Sequence, residues 1–153
     1  MEPLQRDALM SNYDAILNDV SEKLAKVIAH LEYSYKKIQS LPKPLTEADD
    51  EILETWESFS ARFSRVSDIF VMRYLRTRIA IKEPGFKGTT RDHLNLAEKL
   101  GLISSADGWA TIRELRNITG HEYNDSDLNA FYKKIHDLCP LLFEIKPLIS
   151  LGV

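Results

Sequence analysis

The chain is poor in the features that staple or anchor a protein. It has one cysteine, Cys139, which permits neither an internal disulfide nor a multi-cysteine zinc site. A reducing cytoplasm fits that usage best. No apolar run approaches the ~20 residues needed to cross a bilayer, so a soluble protein without a membrane partner is expected. The segment Met1-Glu2-Pro3-Leu4-Gln5-Arg6-Asp7 carries two acids and leads into no apolar core, unlike a signal peptide. The sequence also lacks alternating strand patterns, internal repeats and low-complexity segments. What is left is all-α, and 153 residues are expected to form one domain, 1–153, with a core that needs no metal or disulfide.

A general excess of positive charge is missing too, since the net charge is −3. The charge is unevenly distributed, however. From Arg62 to Arg91 there are eight cations against two acids, Asp68 and Glu83, giving +6 there and −9 elsewhere. Such a segment suits an RNA-facing groove, an acidic patch on a partner, or a merely solvated helix face.

The apolar spacing defines the helices. Leu17, Val20, Leu24, Val27, Ile28, Leu31, Tyr35 and Ile38 share roughly 100° of arc, which predicts a packing helix from about Asp14 to Ser40. Pro42 and Pro44 end it. Thr46 is the expected N-cap of a second long helix running to about Ile81, with Glu47, Asp49, Asp50 and Glu51 at the positive end of its dipole. Its core face is Ile52, Trp56, Phe59, Phe63, Val66, Phe70 and Tyr74. On an ideal helix Arg62, Arg65, Arg73 and Arg76 form one adjacent stripe, the candidate RNA-binding surface.

A loop, Glu83-Pro84-Gly85-Phe86-Lys87-Gly88, follows. Thr89 stands three residues before Asp92, a capping-box spacing that predicts a short helix from about Thr90 to Leu102, with Gly101 near its end. Trp109, Ile112 and Leu115 mark the next helix, with Arg113 and Arg116 on its flank. Gly120 suits a left-handed C-cap, or the helix runs on through it. Asn124 to Asp127 reads as a turn and N-cap before a last helix with Leu128, Phe131, Ile135, Leu138 and Leu142 inward, which Pro140 should kink or interrupt.

Chemistry is concentrated in Arg116-Asn117-Ile118-Thr119-Gly120-His121-Glu122-Tyr123. Arginine keeps its charge and offers a planar fork to a phosphate, and histidine exchanges a proton near neutral pH. A bare Arg-x4-His pairing carries little weight, since this composition yields roughly 0.2 such pairs by chance. Taken singly, Arg116 could pair with Glu114, Glu122 or Asp125, His121 could cap a helix end, Asn117 could bond locally, and Tyr123 could simply pack. The acids near the motif show no metal-ligand spacing.

With Trp109 before it and Asn124-Asp125 after it, the run resembles the HEPN superfamily, and within it HepT-like toxins and nucleotidyltransferase substrate-binding proteins. The similarity extends from Lys82-Glu83-Pro84-Gly85-Phe86 to the final helix. It implies an up-and-down antiparallel bundle of five to six helices, usually a homodimer, with an MNT-family nucleotidyltransferase antitoxin as partner. It also implies a metal-independent endoribonuclease without cofactor, acting on tRNA or mRNA. Arg116 and His121 are its catalytic residues, Asn117 supports them, and Tyr123 accepts AMP from the partner, which silences the toxin. The alternative is a non-catalytic substrate-binding or regulatory subunit of a two-component nucleotidyltransferase, which the Thr119-Gly120 spacer resembles more closely. The chain has no Gly-Ser with a following Asp-x-Asp, the pattern of the nucleotidyltransferase itself.

Overall fold

The computed structural model describes residues 2–41, 49–116 and 125–150. Among these residues every regular element is helical and no strand is present, as the spacing predicts. The order is α1 (Pro3–Ile38), α2 (Asp50–Ile69), a π-helical segment (Phe70–Leu75), α3 (Arg76–Lys82), α4 (Thr90–Lys99), α5 (Ala106–Arg116), α6 (Asp125–Phe143) and α7 (Lys146–Ser150). Since α2, the π segment and α3 are continuous, the bundle has five main helices and the one-turn α7, in line with the expected five to six.

Helix α1 starts well before the predicted Asp14. Pro3 at the first helical position is already set for helical φ, and Glu2 N–H donates to Gln5 Oε1 at 3.4 Å. The predicted start instead reflects where burial begins: Leu17 is the first buried residue, whereas Leu4 is 81% exposed. Beyond Leu17 the buried stripe includes Val20, Leu24, Ile28, Leu31 and Ile38.

The expected cap Thr46 lies outside the described residues, and α2 is capped by Asp49, whose Oδ1 accepts from Ile52 N–H at 2.9 Å. Arg62 Nη1 donates to Ser34 Oγ at 2.7 Å and to His30 O at 3.0 Å, while Arg73 lies 3.8 Å from Asp19. Rising numbers on one helix meet falling numbers on the other, so α1 and the α2–α3 rod are antiparallel.

The π segment corrects the single arginine stripe. Each π-helical turn holds about one residue more than an α-helical turn, so ideal-helix phase does not carry from Arg62 and Arg65 across to Arg76. Arg62 and Arg73 reach α1, whereas Arg76 Nη2 donates to Thr90 Oγ1 of α4 at 3.2 Å. Arg65 is exposed. The widened turn buries Phe70, Val71, Tyr74 and Leu75 together.

The α3–α4 loop turns at Gly85, with φ +87°. The predicted capping box of α4 is present: Asp92 N–H donates to Thr89 Oγ1 at 3.1 Å, and Thr89 N–H donates to Asp92 Oδ2 at 2.8 Å. Hydrogen bonding from Thr89, its backbone N–H first and its side chain second, holds the Asp92 carboxyl below the usual carboxylate range. Its share of the cap is therefore complete at neutral pH and lost as pH falls through the lowered folded-state pKa. At its other end α4 closes through Gly101, φ +76°, with Leu102 N–H on Ala97 O at 2.9 Å and Gly101 N–H on Glu98 O at 3.0 Å. These two bonds form a Schellman motif, which needs a left-handed residue at Gly101.

Helix α6 continues past Pro140 to Phe143 rather than stopping there, although Pro140 has no N–H for the carbonyl one turn earlier. After it, Lys146 pairs with Glu32 at 2.6 Å and Tyr74 O–H donates to Leu148 O at 3.3 Å, which ties α7 to both long helices. No helix among the described residues is long and apolar enough to cross a membrane.

Loss of the α4 cap in Thr89→Ala is expected to lower stability by about 1 kcal/mol. Gly88→Ala should also destabilise, because a Cβ there would stand 2.7 Å from Asp92 Cβ. Urea unfolding reads both. Unchanged midpoints would show that the cap contributes nothing.

Candidate functional site

Helix α5 is set by its buried face. Trp109, Ile112 and Leu115 enter the core, and the Trp109 ring packs on Phe70 with centroids 4.8 Å apart. That placement turns Arg113 and Arg116, one turn apart, toward α2. There Asp68 Oδ1 accepts from Arg113 Nη1 at 2.6 Å and also from Arg116 Nε.

One carboxylate oxygen therefore holds two guanidinium groups. The cluster of Arg113, Arg116 and Asp68 has a formal charge of +1, and it is partly shielded: side-chain exposure is 18% for Arg113, 34% for Arg116 and 38% for Asp68. The spacing had offered Arg116 only acids near it in sequence. One partner comes from 48 residues earlier, and Glu122 lies outside the described residues. A signal for it existed, since Asp68 is one of only two acids in the stretch from Arg62 to Arg91.

Two open grooves, each of about 410 Å³, lie on either side of Phe131. The first is walled by Glu57, Ser60 and Ser64 of α2 and by Leu128, Phe131 and Tyr132 of α6. The second runs between Leu115 and the α6 residues Asp127, Phe131, Lys133, Lys134 and Asp137. Ser64 stands one helical turn before Asp68, and Leu115 immediately precedes Arg116. Each groove thus has one lining residue within a helical turn of the Arg116–Asp68 contact.

Of the candidate site residues, Arg116 is the last described residue of α5, whereas the supporting Asn117, the catalytic His121 and the AMP acceptor Tyr123 lie outside the described residues. Arg62, Arg73 and Arg76 are engaged along the rod rather than gathered at Arg116. The grooves were not legible in advance, because Ser60, Ser64 and Glu57 carry no motif and Phe131 reads simply as core.

Of the other histidines described, His93 and His136 have structural side-chain partners. His93 is buried with Nδ1 2.8 Å from Thr89 O, which requires a proton on that nitrogen, and its ring meets the Phe86 ring edge-on at 5.0 Å. His136 stacks on Tyr35 at 5.3 Å, with Nε2 3.1 Å from Gln39 Oε1 and Nδ1 3.1 Å from Asp137 Oδ1. That contact is the main reason the Asp137 carboxyl lies below the usual carboxylate range. Burial pushes the Cys139 thiol well up, which makes it a packing residue rather than a nucleophile. Among the described residues no group of three or more His, Cys, Asp or Glu side chains gathers to hold a metal ion.

Comparison with protein-family models, with curated proteins and with solved structures gives no match.

Asp68 should couple more strongly to Arg113, the more buried arginine, than to Arg116. Double-mutant cycles by urea unfolding are expected to give about 1 kcal/mol or more for the first pair and less for the second. Coupling near zero in both pairs would show that these contacts do not hold α5 to α2.

Proposed function

We propose that this chain is a HEPN-type, HepT-like toxin: a metal-independent endoribonuclease that acts as a homodimer and is silenced when an MNT-family nucleotidyltransferase transfers AMP to Tyr123. The observation that carries the reading is the anchoring of Arg116. With its Nε–H bonded to Asp68 and Arg113 fixed on the same oxygen, the guanidinium is held in one orientation at the end of α5. A preorganised cation costs little reorganisation when charge builds on a phosphate.

In this mechanism His121 of one protomer takes the proton of a ribose 2′-OH, and the 2′-oxygen attacks phosphorus. His121 of the second protomer protonates the departing 5′-oxygen, leaving a 2′,3′-cyclic phosphate and a 5′-hydroxyl. Arg116 stabilises the oxygens on which charge accumulates, and Asn117 orients the phosphate or the arginine. A symmetric dimer supplies the second histidine, since the motif contains only one. The planar guanidinium fork suits a phosphodiester anion, with tRNA or mRNA as its source.

The second reading, a non-catalytic substrate-binding or regulatory subunit of a two-component nucleotidyltransferase, is favoured by the Thr119-Gly120 spacer and by the partial neutralisation of Arg116 by Asp68. The two readings separate in one assay. Purified protein, shown by mass to carry no AMP, is incubated with total RNA and tRNA in EDTA. Cleavage is expected, falling by about 100-fold or more in Arg116→Ala and in His121→Ala. Wild type that does not cleave would overturn the nuclease in favour of the binding subunit.

A further inference from the structure

We propose that the groove between α2 and α6 is a base-binding subsite selective for guanine, seating the base of the nucleotide whose phosphate lies at Arg116. The proposal rests on the ribonuclease reading for that phosphate and adds the identity of the base.

The groove's size, about 410 Å³, falls within the ~300–1,000 Å³ typical of small-molecule sites. Its α6 wall is aromatic. Phe131 and Tyr132 have ring centroids 5.5 Å apart, and Tyr132 is backed by Trp56 at 5.2 Å. Both rings are mostly buried, so only the small part of each that lines the groove is open to pack against an unstacked base.

The α2 wall is polar and in register, because Glu57, Ser60 and Ser64 recur on one helical face. Glu57 and Tyr132 line the same groove, and burial first, with the Glu57 carboxylate second, pushes the Tyr132 phenol up to about 12. The tyrosine hydroxyl accordingly keeps its proton.

This donor and acceptor pattern selects among the bases. An ionised carboxylate only accepts, whereas a serine hydroxyl donates or accepts. Guanine presents two neighbouring N–H donors, N1–H and N2–H, which can meet both Glu57 oxygens while its O6 accepts from a serine. Adenine and cytosine offer one amino donor beside a ring-nitrogen lone pair, and uracil offers one N–H between two carbonyls. Each of these would turn a lone pair toward the carboxylate. The same charge orients the nucleotide: Glu57 repels the phosphate toward the Ser64 side of the groove, one helical turn from Asp68, which holds Arg113 and Arg116.

The test is calorimetric titration of the full-length, unmodified protein in EDTA with guanosine, inosine, adenosine, cytidine and uridine 3′-monophosphates. Guanosine monophosphate is expected to bind about tenfold or more tightly than the inosine form, which lacks the 2-amino group. Glu57→Gln, a change at an exposed position, should abolish that preference. No binding by the wild type, equal affinity for all five, or a preference that survives Glu57→Gln would overturn the proposal. RNA cleavage by the same preparation separates the two claims. Cleavage without guanine preference removes only the subsite, and guanine preference without cleavage removes only the nuclease.

Discussion

Burial of the aromatic stripe along the α2–π–α3 rod is the constraint on which the rest of the structure depends. Trp56, Phe59, Phe63, Phe70 and Tyr74 are each 2% exposed or less. Burying such a side chain contributes roughly 1.5–3 kcal/mol before the entropy of ordering it is subtracted. Every other main helix meets this stripe or its flank. Helix α1 covers its length, Trp109 of α5 packs on Phe70, Tyr132 of α6 packs on Trp56, and Tyr74 bonds to α7. The π turn keeps Phe70 and Tyr74 inward together, their rings stacked at 5.5 Å and 19°.

The site follows from the same rod. Asp68 lies beside the buried Ser67 and the stripe residue Val66, so its carboxylate emerges where α5 crosses α2. Packing of Trp109 and Ile112 fixes the height of α5, and that height brings Arg113 and Arg116 to one oxygen. Arg116 is therefore positioned by tertiary packing, through an acid remote in sequence, rather than by its own helix. The groove between α2 and α6 has a similar origin, since small Ser60 and Ser64 form its α2 wall.

Much of the scaffold was legible because it depends on local rules. The core stripes of α1 and α2, the Thr89–Asp92 capping box and the Gly101 termination of α4 follow from spacing and single-residue chemistry. Besides the grooves, three features were not legible. The start of α1 at Pro3 escaped because residues 3–16 are helical without being buried, so apolar periodicity says nothing about them. The π turn escaped because one added residue leaves each local pattern intact and changes only the phase between Arg65 and Arg76. The contact of Arg116 with Asp68 escaped because ion pairs across 48 residues are set by how helices pack. His121, Tyr123 and Asn117 remain assignments from the motif itself, and Arg116 is where motif and structure meet.

The most direct test of this account is the single-turnover rate of RNA cleavage by Asp68→Asn, measured beside wild type at saturating protein. Asparagine keeps the size of the side chain but loses the charge that fixes Arg116. The account predicts a rate about tenfold lower, or less still, with RNA affinity held within about twofold, because an orienting contact acts on the transition state more than on binding. A variant that cleaves at the wild-type rate, or a wild type that does not cleave at all, would contradict it.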